Sequence, residues 1–234
     1  MGFGGETGNG HDRVVPFRMS GWAATGRRDG SETTTRATAE LRAYWEALRA
    51  GRPAPFRSEI DPRGIERALE YTFILERMAP RVARLRLAGS HLNTVMGMET
   101  RGLPLTSFFM PEARDQISDT VEAVFDGPAT ADLRLAAPAA AGRPALVAEL
   151  TLLPLTDDSG VICRMLGCLV IDGPLGRAPR RFTIAAGHIA PILATVPRRP
   201  PMPQGAAVPG GFAEPRAGFG PARAGHLRVV VSND

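Results

Sequence analysis

Apolar positions between residues 37 and 178 follow two different repeats, which predict a sheet accompanied by helices. In 38–50 they recur at i, i+3, i+4 and i+7, the stripe of an amphipathic helix. In 83–89 leucine alternates with arginine instead, the pattern of a half-buried strand. A single stretch of chain therefore carries both helical and strand periodicity.

Three helices are predicted from such stripes and from their end signals. The first is Thr38–Ala50, with Gly51 after its last turn. A short helix begins at Asp61, followed by a proline suited to a first helical position, and runs to about Tyr71. The longest clear helix is Pro111–Asp126, which a Gly-Pro pair ends.

Two strands precede the last helix and three follow it, an order that predicts one five-stranded antiparallel sheet with helices on one face, in the α+β class. The predicted strands are Thr72–Arg77, Ala83–Gly89, Ala131–Ala137, Ala145–Leu155 and Val161–Asp172. The last two are partly apolar on both faces, so we expect the first helix to cover the outer face of the sheet. Residues 182–193 are compatible with a turn of helix or a short strand.

The first helix carries an aromatic stripe that must be covered. Leu41, Tyr44, Trp45 and Leu48 lie on one face of it. The stripe docks either on the sheet of its own domain or on a second copy of the chain. These four residues are therefore also the candidate interface of a homodimer.

Composition divides the chain into three parts. Its 26 Gly and 21 Pro concentrate toward the ends, which predicts a disordered arm over 1–36, one domain over 37–178 and a mostly disordered tail over 179–234. The domain carries 16 Arg against 18 acidic residues, whereas the tail carries 7 Arg against 2. The basic character of the chain therefore belongs to its tail.

Side chains able to do chemistry are few and scattered. The 4 His show no metal-ligand spacing, and neither a phosphate-binding loop nor a nucleophile elbow occurs. Cys163 and Cys168 share one predicted strand and cannot bridge each other. We therefore predict no catalytic residue, no metal site and no enzyme activity, and we expect a reducing, cytoplasmic setting without a membrane span.

A glycine-punctuated stretch after the second strand suggests a family. In HLNTVMGMETRG, Asn93, Met96, Gly97, Glu99 and Gly102 form a pattern that resembles the PAS domain family, and FFMPEAR resembles the entry into its long helix. Gly97 and Gly102 suit positive φ, and Asn93 can bond the neighbouring backbone. This turn motif is predicted to shape the loop.

An upstream stretch narrows the resemblance. YWEALRAGRPAPFRSEIDP resembles a group of small stand-alone PAS proteins of proteobacteria, in which a Tyr-Trp helix and an Arg-Ser-Glu-Ile-Asp-Pro-like loop precede the first strand. The resemblance covers about 38–175. It implies a PAS-like fold with an N-terminal cap helix.

The resemblance also implies a cavity between the sheet and the long helix. Its candidate lining is apolar: Leu85, Leu87, Met96, Phe108, Ile117, Val121, Leu150, Leu152 and Met165. Flavin-binding members that form a covalent bond carry a Cys in the helices before the long helix, and haem-binding members carry a His on or near it. Neither feature occurs here, so both cofactors are disfavoured and the ligand, if any, stays unknown.

These observations favour a single-domain PAS sensory or regulatory protein that acts through other signalling proteins, with or without a small apolar ligand. The tails resemble no kinase, cyclase or helix-turn-helix module, so we expect the output to be supplied by a partner. One alternative is a dimeric scaffold whose tails recruit partners. A less favoured one is nucleic-acid binding through the Arg-rich tail. The segment 227–232 is β-prone, and either adds to another sheet as an edge strand or stays unstructured.

Overall fold

The computed structural model describes residues 30–193, with side chains from residue 36 onward. Residues 1–29 of the predicted arm over 1–36, most of the predicted tail and the segment 227–232 lie outside this range. The helices are α1 (Gly30–Arg49), α2 (Ser90–Met96) and α3 (Arg114–Asp126), and the strands are β1 (Thr72–Ala79), β2 (Val82–Ala88), β3 (Ala129–Ala137), β4 (Leu146–Thr156), β5 (Ile162–Asp172) and β6 (Thr183–Pro191). Short 3₁₀ turns occur at Arg57–Glu59, Pro62–Ile65, Leu69–Tyr71, Leu105–Phe108 and Pro111–Ala113.

The strands form one antiparallel sheet in the order β2-β1-β5-β4-β3-β6. The predicted α+β class and the antiparallel sheet are confirmed. The number of strands was wrong, because the sheet has six rather than five. The first five strands begin and end within two residues of the predicted bounds.

The sixth strand, β6, pairs with β3 along its whole length. Its sequence, TIAAGHIAP, offers little β-propensity of its own, and the order in this segment comes from pairing with a neighbour distant in sequence. The predicted boundary at 178/179 was therefore wrong, and the folded unit continues to the end of β6. At the other end, α1 begins at Gly30, before the predicted start of the domain.

One face of the sheet packs against α2, α3 and the 3₁₀ turns between them. Buried apolar side chains from both layers form a continuous group, which we call the inner cluster. It contains several aromatic rings that are at most 5% exposed: Phe73, Phe108, Phe109, Phe125 and Phe182. The inner cluster occupies the space where the resemblance implies a ligand cavity.

The opposite face is covered in part by α1, which packs on β4 and β5. Leu41 and Trp45 are 0% and 1% exposed there, among Leu153, Leu166 and other buried residues that form the outer cluster. Tyr44 and Leu48 are partly buried against the same cluster. The stripe thus lies on the sheet of its own domain, so the interface prediction was wrong for Leu41 and Trp45.

The predicted long helix is divided in the structure. Its first residues, Pro111–Ala113, form a 3₁₀ turn, and the α-helix begins at Arg114. Similarly, the helix predicted to follow Asp61 consists of separate 3₁₀ turns, although Asp61 caps the first of them by accepting the N–H of Arg63 at 3.0 Å. Among the described residues, no helix is long and apolar enough to cross a membrane.

Candidate functional site

Eight of the nine candidate cavity residues come together in the inner cluster. They are at most 5% exposed and come from β2, β4 and β5 and from the helical layer: Leu85, Met96, Phe108, Ile117, Val121, Leu150, Leu152 and Met165. The structure thus brings these predicted residues into one buried group. Their role in holding a ligand stays a prediction.

The ninth, Leu87, is not in this group. It is 49% exposed and faces away from the inner cluster. The reason is a β-bulge: Ile74 pairs with Leu87 but Leu75 pairs with Leu85, so Arg86 is an extra residue on β2. A bulge reverses the side of every later residue, and strict alternation wrongly placed Leu87 inside.

The inner cluster owes part of its packing to a glycine that the sequence analysis did not select. Gly167 lies opposite Phe73 on β5, and a Cβ at Gly167 would come closer than 3.0 Å to atoms of the Phe73 ring. The ring therefore occupies the space that the missing side chain leaves. An isolated glycine within an otherwise apolar strand is the signal that could have indicated this close approach.

The turn motif after α2 holds the loop that borders the inner cluster. The side-chain oxygen of Asn93 accepts the N–H of Thr100 at 3.0 Å and its hydroxyl at 2.7 Å, and Thr100 is fully buried. Gly97 ends α2 with φ +68°, and Gly102 has φ +84°. The fourth motif residue, Glu99, accepts the N–H of Arg101 at 3.3 Å. These bonds account for the motif as loop architecture.

The connection from β5 to β6 closes the inner cluster at one end through a buried arginine. Arg180 is 2% exposed, and its guanidinium donates to the carbonyls of Leu175 at 2.5 Å and Pro144 at 2.6 Å. Its backbone N–H also donates to Val95 in α2 at 2.9 Å. Burial, with the nearby charge of Arg143, lowers the pKa of this guanidinium. Arg180 thus joins the strands to the helical layer.

We expect Arg180→Met to lower the free energy of unfolding by about 2 kcal/mol, because it leaves buried carbonyl acceptors without donors. Arg180→Lys should lower the free energy of unfolding by less than Arg180→Met but should remain less stable than wild type, since an ammonium lacks the planar fork that reaches both carbonyls. Urea denaturation measures the change. The neighbouring exposed arginine supplies the control, Arg181→Met, which should differ from wild type by less than about 0.5 kcal/mol. Equal stability of Arg180→Met and wild type would contradict this role.

The Tyr-Trp pair of α1 fixes that helix to the sheet and to the following loop. The indole N–H of Trp45 donates to the Pro154 carbonyl at 2.8 Å. The Tyr44 hydroxyl accepts the N–H of Asp61 at 2.7 Å, and its ring lies so close to Gly64 that a Cβ there would clash with it. Trp45 thus fixes α1 to the sheet, and Tyr44 fixes it to the loop that follows.

The loop that follows α1 is held by its own charged groups. Arg52 binds both carboxylate oxygens of Glu59, at 2.9 and 2.8 Å, and Glu59 also accepts the N–H of Phe56 at 2.8 Å. Burial acts to raise the pKa of Glu59, but these hydrogen bonds outweigh it and hold the pKa below its ordinary value. The stretch that narrows the family resemblance is therefore a set of mutually bonded residues.

The His and Cys side chains of the described residues do not gather into a metal or catalytic cluster. No group of three His, Cys, Asp or Glu side chains that could hold a metal occurs within 36–193. Burial raises the pKa of Cys168 to about 12, with the Glu149 charge adding to the effect. His91 packs edge-on against Tyr71, and its Nε2 is buried without a hydrogen-bond partner. Burial lowers the pKa of His91 and outweighs the Glu70 charge, which acts to raise it.

Comparison with known proteins identifies one matching family. A family model described as a PAS domain matches residues 33–170, more than half of the 234 residues. The match spans α1 and the sheet up to β5. Among curated proteins, none matches the chain.

Several solved structures resemble parts of the chain. One is the light-state structure of the LOV domain of the blue-light photoreceptor Aureochrome1, which matches at 18% identity and a TM-score of 0.35. The match covers 47% of this chain and 88% of that one. A light-oxygen-voltage domain studied with a flavin analogue matches at 17% identity and a TM-score of 0.36. The match covers 47% of this chain and 83% of that one. An RNA-binding light-oxygen-voltage receptor matches at 19% identity and a TM-score of 0.34. The match covers 50% of this chain and 35% of that one.

Proposed function

This chain belongs to the PAS domain family, whose members are typically sensory or regulatory, and we propose that it regulates other signalling proteins by direct contact. Family membership supports the regulatory class. The narrower likeness to small stand-alone proteobacterial PAS proteins is part of the proposal, supported by the bonded Tyr44–Trp45 helix and Arg52–Glu59 loop. We propose a cytoplasmic setting on the ground of the cysteine pattern.

The observation that carries partner contact is a set of exposed apolar side chains on β1 and β2, two of them at the hairpin and one near the other end of β2. Met78, Val82 and Leu87, at the β1–β2 hairpin and along β2, are 51%, 40% and 49% exposed. We call them the hairpin patch. β2 is an edge strand of the sheet, and exposed apolar side chains along an edge strand support contact with a protein partner.

A small apolar ligand in the inner cluster is the second part of the proposal. The family supports it, and the eight buried candidate residues adjoin one another. The aromatic rings that occupy this space would have to shift before even a small ligand could enter. Partner contact through the hairpin patch does not require that shift.

Replacing Val82 and Leu87 together by Glu should abolish capture of signalling partners by the immobilised chain in a lysate of the source cell. Charges on both side chains oppose burial in an apolar contact, and exposed positions tolerate them with little loss of stability. Val161→Glu is the matched control, because Val161 is 58% exposed on the turn between β4 and β5. Capture is quantified by mass spectrometry, with circular dichroism to check folding.

The alternatives give different results in the same samples. If the chain is a dimeric scaffold, light scattering of the wild type shows a dimer, and partner capture depends on residues 194–234 rather than on the hairpin patch. If the tail binds nucleic acid, deletion of 194–234 removes a gel shift seen at low salt. Unchanged capture by the Val82, Leu87 double variant contradicts the proposal.

A further inference from the structure

A groove that charged and apolar residues line together lies on the opposite side of the sheet from the inner cluster. It runs between α1 and the outer face of β3, β4 and β6, with a volume of about 630 Å³. We call it the outer groove and define it by the polar side chains that line it: Thr38, Arg42, Asp132, Arg134, Glu149, Thr151 and His188. Helix α1 packs on β4 and β5, so the groove begins where the sheet extends beyond the helix.

Strand register places the charged residues of the floor in two adjacent rows. In the first row Arg134 on β3 lies directly opposite Glu149 on β4. In the second, Asp132 lies between Thr151 on β4 and His188 on β6. Directly opposed residues on one face have Cβ atoms about 5 Å apart. The floor therefore presents a cation beside an anion and an imidazole beside a carboxylate.

Asp132 is held by its neighbours, although Asp is disfavoured in strands. A terminal nitrogen of Arg42 on α1 lies 2.6 and 2.5 Å from its two carboxylate oxygens, and the Thr151 hydroxyl donates to one of them at 3.0 Å. The Arg42 and Asp132 charges thus offset each other. Their ion pair joins the helix to the sheet and forms one wall of the groove.

The other charged pair is not joined. Opposite charges directly across a strand pair usually interact, for about 0.2–1 kcal/mol. Yet Arg134 and Glu149 form no ion pair with each other and no side-chain hydrogen bond with any residue in the described part of the chain, and the same holds for His188. Because no side chain of the described residues pairs with them, we treat the two opposite charges as available to a third group.

We propose that the outer groove binds a small dipolar ion of the α-amino acid type, its carboxylate on Arg134 and its ammonium on Glu149. A guanidinium fork matches a carboxylate, and a carboxylate accepts well from an ammonium group. An α-amino acid carries both groups within a few ångströms, as the opposed pair requires. His188, in the adjacent row, is placed to meet the remainder of such a molecule.

The charge balance of the groove favours this class over polyanions. Arg42 and Arg134 are offset by Asp132 and Glu149, so the groove has no excess positive charge with which to hold a phosphate chain or nucleic acid. Its volume lies within the usual range for small-molecule sites. Because the groove and the hairpin patch share no residue, this binding goes beyond the regulatory contact proposed above and does not depend on it.

Isothermal titration calorimetry of the full chain with each of the proteinogenic amino acids tests the proposal. We expect at least one to bind with a Kd below about 1 mM, and propionate and propylamine, which carry one charge each, to bind at least about tenfold more weakly. Arg134→Gln and Glu149→Gln should each raise the Kd for the amino acid by about tenfold or more. Arg101→Gln and Glu112→Gln, at exposed positions outside the groove, should leave its affinity unchanged.

Three results would overturn the proposal. The first is the absence of binding by every amino acid tested. The second is binding that survives both Arg134→Gln and Glu149→Gln in variants whose circular dichroism matches wild type, which would place the site elsewhere. The third is propionate or propylamine binding as tightly as the amino acid, which would show a site for a single charge.

Discussion

Trp45→Ala is expected to lower the free energy of unfolding by about 4 kcal/mol, a large fraction of the roughly 5–15 kcal/mol that an ordinary domain has. The indole is 1% exposed, between α1 and the outer face of β4 and β5. Its removal leaves a large void and takes from the Pro154 carbonyl the donor it has in the wild type. Both effects lie within the chain itself, so the loss should appear in monomers.

Urea denaturation and light scattering of the same samples separate this result from a dimer-interface effect. Trp45→Phe keeps most of the apolar volume and should cost less than Trp45→Ala, while Tyr44→Phe should lose only the hydroxyl bonds to the loop at Asp61. If Trp45→Ala combined with Tyr44→Ala instead produced a stable, well-folded monomer from a wild-type dimer, the stripe would be an interface and its assignment to the domain core would fail.

Gly167→Val should destabilise the domain by about 3 kcal/mol through overpacking. Any side chain at this position enters the space of the Phe73 ring, which lies between β1 and β5 in a fully buried setting. Close-packed interiors cannot absorb such a volume without moving other side chains. The change should be visible as a lower urea midpoint with an unchanged slope.

A double-mutant cycle tests the cause. Phe73→Leu makes room at Gly167, so Gly167→Ala should cost at least about 1 kcal/mol less in the Phe73→Leu background than in wild type. Gly127→Ala is the matched control: Gly127 has a negative φ, and the nearest atom to a Cβ there is 4.0 Å away. Additive effects of Gly167→Ala and Phe73→Leu would show that the two positions are not coupled.

Much of the candidate site was open to prediction because its residues belong to regular elements. Helical periodicity indicated the buried face of α3, and eight of the nine side chains selected for the cavity that the resemblance implies indeed lie in the inner cluster. Leu87 lies outside the inner cluster, and its position could not be predicted because the bulge at Arg86 depends on how β2 pairs with β1. Arg180 was assigned to a tail, since a lone arginine in a Pro-containing segment shows no pattern of burial.

The outer groove illustrates the same limit. Asp132, Arg134, Glu149 and His188 are spread over 57 positions of chain, and only the pairing of β3 with both β4 and β6 sets them side by side. Nothing in their local sequence distinguishes them from ordinary solvent-facing residues of a strand. A sequence-based search for paired charges at helical or short spacing therefore passes over them.

Local patterning is enough to establish the α+β class, the bounds of the first five strands, the turn motif and the family resemblance, because alternation, end signals and glycine turns act over a few residues. The sixth strand, the bulge that turns Leu87 outward, the covering of one face by α1 and the two rows of the outer groove required the folded chain. Their cause is long-range: register and burial arise from contacts between segments far apart in sequence, which no single segment encodes.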